Sequence, residues 1–469
     1  MKEWCRHPGL AIRPWITGAV VLAIAVLIGH PGIAQAADPT NFVIFLSDDQ
    51  GWGDLGSYGH KEIQSPNIDK FAKEGLRFTQ CYAASAFCSP SRSAILTGRT
   101  PYRNGVFTWI PEGNQVHLRT SEVTAATLLK NAGYDTCHVG KWHLNGKFNS
   151  PQQPQPNDHG YQWWLATQNN ARPSHKNPRN FVRNGQPAGP LEGYSAVLVA
   201  EEAIRWLKEH RDSSKPFFLT VWTHEPHKPI ERSPEFMAKY KNMHNEDLRQ
   251  YCGNISQLDH AFGMLMETLD ELKLADDTFV FYTSDNGPEG REQNGQLTGR
   301  SRGSTGGLRG RKRDVYEGGI RVPGICRWPG HVQPGTETDT PVVGSDLFST
   351  VLDIAGVEPP KKVIDGVSMR PVFEGKPLSR PIPLYWRCYI AHGPKTAMRI
   401  GDWKILADER LTQFELYNIK EDPRETHDLA AREPEKLAEM KEELMALNAE
   451  IEAEGPGWWK NYDGKPKRD

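Results

Sequence analysis

Four apolar runs recur along the 469-residue chain, each five or six residues long and each breaking into polar residues at its C-terminal end. Residues 42–46 lead into Ser47-Asp48-Asp49, and 134–139 into Gly140-Lys141-Trp142-His143. Residues 217–222 lead into Thr223-His224-Glu225-Pro226-His227, and 278–283 into Ser284-Asp285-Asn286-Gly287. Runs this short and this continuously apolar predict strands covered on both faces, the habit of parallel sheets. Helical segments fill the intervals. One is opened by Ser65-Pro66 and closed by Gly75, one is capped by Ser121 and closed by Gly133, and longer amphipathic ones cover 192–210 and 245–272. The alternation predicts an α/β fold with a large, mixed, mostly parallel sheet flanked by helices. From residue 379 the pattern changes to four strand-like pieces (383–389, 396–400, 403–406, 414–418) and a charged helix over 434–454. The predicted organisation is a leader over 1–36, a main α/β domain over 37–378, and a small subdomain of antiparallel sheet plus helix over 379–469.

In open α/β sheets, functional groups collect beyond the carboxyl ends of the strands. Four strand ends therefore bring two acidic pairs, a lysine and several histidines to one edge. Asp48, Asp49, Asp285 and Asn286 are hard oxygen donors, three of them anionic, a set suited to calcium or magnesium rather than zinc. One such pair alone reads as a turn or a helix cap. Two pairs ending two strong strands favour a ligand set. Near them in the sequence, Cys88-Ser89-Pro90-Ser91-Arg92 predicts a helix that starts at Cys88, since proline suits a first turn. A helix N-terminus with Arg92 one turn along makes an anion site and favours a thiolate or oxyanion at residue 88. A buried cysteine at a helix start is the plainer reading of that residue alone.

Basic residues number 56 and acidic ones 58, for a formal net charge of −2, which argues against bulk electrostatic binding of nucleic acid. The basic residues are not evenly spread. Arg300, Arg302, Arg309, Arg311, Lys312 and Arg313 crowd the glycine-rich stretch 291–313, which predicts a long functional or mobile loop. At the N-terminus, Lys2, Arg6 and Arg13 precede an apolar run over 17–29 and then Ala34-Gln35-Ala36. That is the layout of an export leader cleaved before Ala37, predicting a periplasmic or secreted protein. The run is short of the roughly 20 residues of a membrane span, so no stable span is expected after cleavage. Seven widely spaced cysteines form neither a disulfide framework nor a C-x-x-C metal motif. Asn254-Ile255-Ser256 matches a glycosylation sequon as a pattern.

The string from Cys88 to Arg92, a small-residue helix and then Thr97-Gly98-Arg99 resembles the signature of the type I sulfatases, in which the cysteine is oxidised to formylglycine. The likeness covers nearly the whole mature chain. It includes Gly51-Trp52-Gly53-Asp54-Leu55, Gly140-Lys141-Trp142-His143-Leu144 and Pro226-His227-Lys228-Pro229. It continues through 308–312 ahead of 316–323, and Glu415-Leu416-Tyr417-Asn418 before Glu421-Asp422-Pro423. Within the family the chain is most similar to N-acetylgalactosamine-6-sulfatases and arylsulfatase A. The resemblance implies an alkaline-phosphatase-like fold and hydrolysis of sulfate monoesters on small molecules or saccharides. It implies one calcium ion on Asp48, Asp49, Asp285, Asn286 and an oxygen of a formylglycine made from Cys88. Lys141 and Lys312 would bind sulfate oxygens, with Arg311 and Arg313 as the alternatives to Lys312 if the register slips by one. Arg92 would offset charge, His143 would hydrogen-bond the hydrated aldehyde, and His227 would protonate the leaving alcohol. A formylglycine-generating or anaerobic maturation enzyme is the implied partner.

Two other readings are kept in view. A phosphonate or phosphodiester hydrolase of the same superfamily is the enzymatic one. A non-catalytic binder of sulfated glycans would need a missing nucleophile or ligand, and none is missing. His224 reads equally well as a structural histidine. Asn169 and Asn170, which follow an aromatic strand-like run, read as a surface turn or as a sugar contact; 145–174 and 287–307 are the expected pocket walls.

Overall fold

The computed structural model describes residues 39–461 except 232, 294 and 295; the leader expected over 1–36 lies outside the described residues. An 11-stranded sheet carries the fold. Its strands are β1 (Asn41–Ser47), β2 (Leu76–Tyr82), β3 (Asp135–Lys141), β4 (Trp163–Thr167), β5 (Val182–Arg183), β6 (Gln186–Pro187), β7 (Phe217–Trp222) and β8 (Thr278–Ser284). A separate hairpin, β9 (Arg291–Gln293) and β10 (Gln296–Thr298), follows, and then β11 (Arg321–Arg327), β12 (Thr336–Thr338) and β13 (Val342–Val343) return to the sheet. The spatial order is β12-β2-β11-β8-β1-β7-β3-β4-β5-β6, with β13 beside β2. The centre, β8-β1-β7-β3-β4, is parallel throughout. The sheet is therefore mixed but mostly parallel, as expected.

The continuous apolar runs have the expected cause. Phe42, Ile44 and Leu46 of β1 enter one core, and Val43 and Phe45 enter the core on the other face. Helices Cys88–Thr97, Ala125–Asn131 and Asp346–Ala355 supply the first core, and Pro66–Lys73, Ser195–Arg205 and Glu246–Glu271 the second. A four-stranded antiparallel sheet, β14 (Leu384–Arg387), β15 (Thr396–Ile400), β16 (Trp403–Ala407) and β17 (Phe414–Asn418), is followed by helix Pro434–Glu454. Met398, Ile405, Leu416 and Met440 from this sheet and helix join the first core.

Two helix starts differ from expectation. The helix expected to be capped by Ser121 is capped by Thr124, whose side chain accepts from the Thr127 amide. Glu122 is drawn into an ion cluster with Arg99 at 3.0 Å and Arg119 at 3.1 Å, which holds 121–123 outside the helix. The helix expected from 192 begins at Ser195, where the buried Glu225 carboxylate accepts from Ser195 Oγ at 2.7 Å and the Ala196 amide at 3.0 Å. The sequon asparagine, Asn254, is buried in the middle of helix Glu246–Glu271, where no glycan fits. All six described cysteines are free and buried.

Candidate active site

The carboxyl ends of β1, β3, β7 and β8 deliver their polar residues to one place. Beyond β1, the Asp48 amide bonds the Glu225 carbonyl at 3.1 Å, and the Asp49 amide donates to Asp285 Oδ1 at 3.1 Å. The first acidic pair is thus pinned to the strands on either side of it. Asp49 takes a left-handed conformation (φ 66), as do His143 (φ 57) beyond β3 and Arg313 (φ 83). Such backbone strain, about 1–3 kcal/mol per residue, persists where the surroundings impose it and clusters at functional sites. Gly140 answers a different demand. A side chain there would meet the Trp222 carbonyl at 1.9 Å, so glycine lets the two strand ends close beneath Lys141.

Cys88 is the first residue of its helix, as expected, and is completely buried. Its Sγ lies 3.5 Å from Asp48 Oδ1 and 3.4 Å from Lys312 Nζ. Lys141 Nζ sits 2.6 Å from Asp48 Oδ2, and Lys312 Nζ 2.5 Å from Asp49 Oδ1. Arg92 gives Nε and one Nη to Asp285 Oδ2 at 3.0 and 2.7 Å, and its other Nη to the Lys141 carbonyl at 2.9 Å. Asn286 Nδ2 donates to Asp49 Oδ1 at 2.7 Å. His227 Nε2 lies 3.5 Å from Asp49 Oδ2, while its Nδ1 bonds the Lys228 carbonyl. His143 joins at one remove: its Nε2 bonds the Ile110 carbonyl at 3.0 Å, and the Ile110 amide bonds Ser89 Oγ at 3.3 Å.

The three basic residues in question differ in their surroundings. Lys312 is the residue at the cysteine, whereas Arg311 bonds the Glu289 and Gly303 carbonyls and Arg313 forks onto the Glu289 carboxylate at 2.8 and 3.0 Å. Glu289 itself was not singled out in the sequence, where Gly-Pro-Glu-Gly after Asn286 reads only as a turn. It is buried 3.9 Å from Lys312 and steadies that arm of the site. His224 has its Nε2 bonded to Thr167 Oγ1 at 2.8 Å and its ring beside those of His175 and Phe181.

The electrostatics correct one expectation. A thiolate at residue 88 is not favoured: burial pushes the thiol well above its ordinary value, and Lys141 and Lys312 offset that only in part. Arg92 is engaged chiefly by Asp285 and Asp48, ahead of its interaction with Cys88. Burial also opposes ionisation of Asp49, but Lys312 and His227 outweigh it and hold that carboxyl below its usual range. Burial and the neighbouring Asp48 lift Asp285 to about 6. His227 is held down to about 3 by burial, despite the pull of Asp49.

The carboxylates of the site are hard donors for a divalent cation, and a thiol and an imidazole stand among them. Asp48, Asp49, Cys88 and His227 present potential ligand atoms within 4.8 Å of one another. Asp49 Oδ2 and Asn286 Oδ1 are buried oxygens without a hydrogen-bond partner, the condition of atoms shaped for an ion. The three carboxylates are balanced by Arg92, Lys141 and Lys312. A divalent ion added here would leave a local excess of positive charge, which favours an anionic substrate.

A buried cysteine ringed by two lysines and three carboxylates thus lies at the carboxyl edge of a mostly parallel sheet. The chain belongs to the sulfatase family: residues 40–357 match the family described as Sulfatase, and 310–450 match N-sulphoglucosamine sulphohydrolase, C-terminal. It is 34% identical to N-acetylgalactosamine-6-sulfatase of Homo sapiens, over 76% of this chain and 70% of that one. It is 32% identical to arylsulfatase A of Bos taurus, over 89% of each. Among solved structures, Ps i-CgsB in complex with k-i-k-neocarrahexaose matches with a TM-score of 0.78 and 27% identity, over 89% of this chain and 94% of that one. The protein is a sulfuric ester hydrolase with the expected alkaline-phosphatase-like architecture.

Proposed function

We propose that the enzyme removes sulfate from sulfated carbohydrate, using a formylglycine made from Cys88 and one calcium ion. The observation that carries this reading is the contact of Cys88 Sγ with both Asp48 and Lys312 in a fully buried cluster, where an unmodified thiol stays protonated and is a poor nucleophile. A hydrated aldehyde would supply one hydroxyl to attack sulfur and a second whose deprotonation re-forms the aldehyde carbonyl and expels sulfate together with the first oxygen. Asp48, Asp49, Asp285 and Asn286 would hold calcium, which supplies positive charge against the nucleophile and the sulfate oxygens.

The chain's own residues divide the remaining work. Lys141 and Lys312 neutralise the sulfate oxygens from opposite carboxylates. His143 has Nε2 committed to the Ile110 carbonyl, so its unpartnered Nδ1 is the acceptor available for a hydroxyl proton at residue 88. His227 has Nδ1 committed to the Lys228 carbonyl, so it carries a proton for the leaving alcohol on Nε2 only as imidazolium. Burial opposes that form and Asp49 supports it; a bound anionic ester adds to the support. A saccharide substrate is supported by a cavity of about 1090 Å3 lined by Lys228, Arg309, Lys312 and Arg313 as well as Glu289. Export by the leader, and a maturation enzyme acting on Cys88, complete the reading.

The test compares turnover of sulfate, phosphate and phosphonate esters by the matured enzyme, together with its metal content. Sulfate esters hydrolysed far faster, with one calcium per chain, are expected. Faster phosphonate or phosphodiester hydrolysis, or stoichiometric zinc, overturns the assignment.

A further inference from the structure

None of the residues assigned to the reaction lies in the four-stranded sheet β14 to β17, yet this sheet grips the segment that carries Lys312. That segment is a closed stem. The Gly318 amide donates to the Arg309 carbonyl at 2.7 Å, and Lys312 lies in the turn between them. Glycine is required where the two arms meet, since a side chain at Gly318 would come within 2.2 Å of the Gly310 carbonyl. At the tip, the Lys312 amide bonds the Pro288 carbonyl at 3.1 Å, and the Arg313 amide bonds the Ala86 carbonyl at 3.1 Å. These two bonds seat the tip beside Asn286 and Cys88 but do not fix the angle of the stem behind it.

The base of the stem is held from the other side. Glu425, in the turn after β17, takes a left-handed conformation (φ 54) and reaches both arms. Its carbonyl accepts from Arg309 Nη1 at 3.0 Å, and its Oε2 accepts from the Glu317 amide at 2.7 Å. Lys404 of β16 then bridges two carboxylates, at 2.8 Å to Glu425 Oε1 and 2.9 Å to Glu317 Oε1. All three of these side chains are completely buried. Tyr417 of β17 adds a lighter hold, its hydroxyl accepting from Arg309 Nη1 at 2.9 Å. A left-handed glutamate and a buried ionic triad are both costly, and neither is needed to close a four-stranded sheet. Both are accounted for if the sheet sets the angle at which the stem presents its lysine.

We propose that Glu425 and Lys404 are positioning residues for Lys312, so that the four-stranded sheet completes the reaction site through the stem without touching substrate. The inference rests on the reading of Lys312 as a ligand of the sulfate oxygens.

The test is a double-mutant cycle between Glu425→Gln and Lys312→Ala in the matured full-length enzyme, with rates counted per formylglycine. Glutamine keeps an oxygen for the Glu317 amide but turns an NH2 group toward Lys404, so it opens the clamp with little change of shape. Misplacing a catalytic group by about 1 Å costs up to about a hundredfold. Glu425→Gln alone should therefore lower kcat/KM by about tenfold or more, on 4-methylumbelliferyl sulfate and on a sulfated saccharide alike. In the Lys312→Ala background the same change should cost less than about twofold, because the group it aligns is gone. The calorimetric Kd for inorganic sulfate, which needs no turnover, should weaken several-fold in the first background and stay unchanged in the second. Tyr417→Phe spares the buried triad and should give a smaller loss that also vanishes with Lys312; it decides the matter if urea denaturation shows Glu425→Gln to be unfolded. Equal losses in the two backgrounds, or full activity in the Glu425 and Tyr417 variants, overturn the clamp while the proposed reaction stands. Wild-type turnover and sulfate affinity in Lys312→Ala overturn instead the role of Lys312 that the clamp serves, and failure of the wild type on every sulfate ester overturns the proposed reaction itself.

Discussion

Arg92 places Nε and one terminal nitrogen on a single Asp285 oxygen, at 3.0 and 2.7 Å, with both side chains wholly buried. The arginine that reads in the sequence as an anion-site charge is thus a strut between β8 and β3, since its remaining nitrogen holds the Lys141 carbonyl. A buried charge stripped of its partner costs about 3–5 kcal/mol. Arg92→Ala should destabilise by that order and also abolish turnover, and Arg92→Lys should fail because an ammonium cannot reproduce the fork. The check is a double-mutant cycle with Asp285→Asn in chemical denaturation. The double variant should be less destabilised than the sum of the singles, by about 1–3 kcal/mol. Simple additivity would show that the two side chains do not depend on each other.

Residue 88 carries the sharpest chemical expectation. In active protein the tryptic peptide from 78 to 92 should contain formylglycine in place of cysteine, readable by mass spectrometry. Cys88→Ser retains one hydroxyl but not the second, so it should allow at most a single slow turnover with sulfate trapped on the enzyme. Full multiple turnover by Cys88→Ser removes the need for an aldehyde.

The site was more legible in the sequence than the sheet that holds it. Asp48, Asp49, Lys141, His227, Asp285 and Asn286 all lie just past, or at the end of, runs buried on both faces, so period and position pointed to one edge. The strands β2 and β11 escaped notice for physical reasons. β2 alternates buried residues with half-buried Arg77, Thr79 and Gln80 near the margin of the sheet. β11 contains Pro323, which the ladder accommodates by shifting register between Val322 and Gly324. Glu289 and the Ile110 carbonyl were invisible because their roles depend on contacts with Arg313 and His143, far away in the sequence. Charge density alone did not sort the six cations of the basic loop, which divide between Asp247, shared by Arg300 and Arg302, and the cationic cavity, lined by Arg309, Arg311, Lys312 and Arg313.

That division bears on which cations recognise substrate charge. Arg300 and Arg302 lie 3.8 Å from Asp247, and Arg302 also bonds the Gly299 and Leu297 carbonyls. Neutralising them should leave KM for sulfated saccharides nearly unchanged. Lys228 lines the cationic cavity with 56% of its side chain exposed and only a 3.8 Å contact to Glu289. Lys228→Ala should raise KM for an anionic saccharide a few-fold and leave aryl sulfate turnover unaltered, and the effect should shrink as salt rises. Steady-state kinetics at two ionic strengths decides the matter. A raised KM in the Arg300 and Arg302 variants would add these two arginines to the substrate-binding part of the loop.

Stability should carry a pH signature from a histidine away from the reacting groups. His159 is buried, with its Nε2 3.2 Å from the Leu118 carbonyl and its ring 5.7 Å from Trp142. Burial lowers it from 6.5 to about 4, against the modest help of that carbonyl. For a base lowered on folding, the unfolded chain takes up its proton first. The contribution is therefore fully present above pH 6.5 and is lost as the pH falls toward 4, where the folded histidine protonates too. The full span corresponds to about 3 kcal/mol at 1.36 kcal/mol per unit. His159→Gln keeps a donor for Leu118 but does not titrate, so the difference in unfolding free energy between wild type and variant should close by about that amount between pH 7 and 4. Equilibrium denaturation at several pH values measures the difference directly, and parallel curves for the two proteins would mean that His159 protonates as readily in the folded state as in the unfolded one.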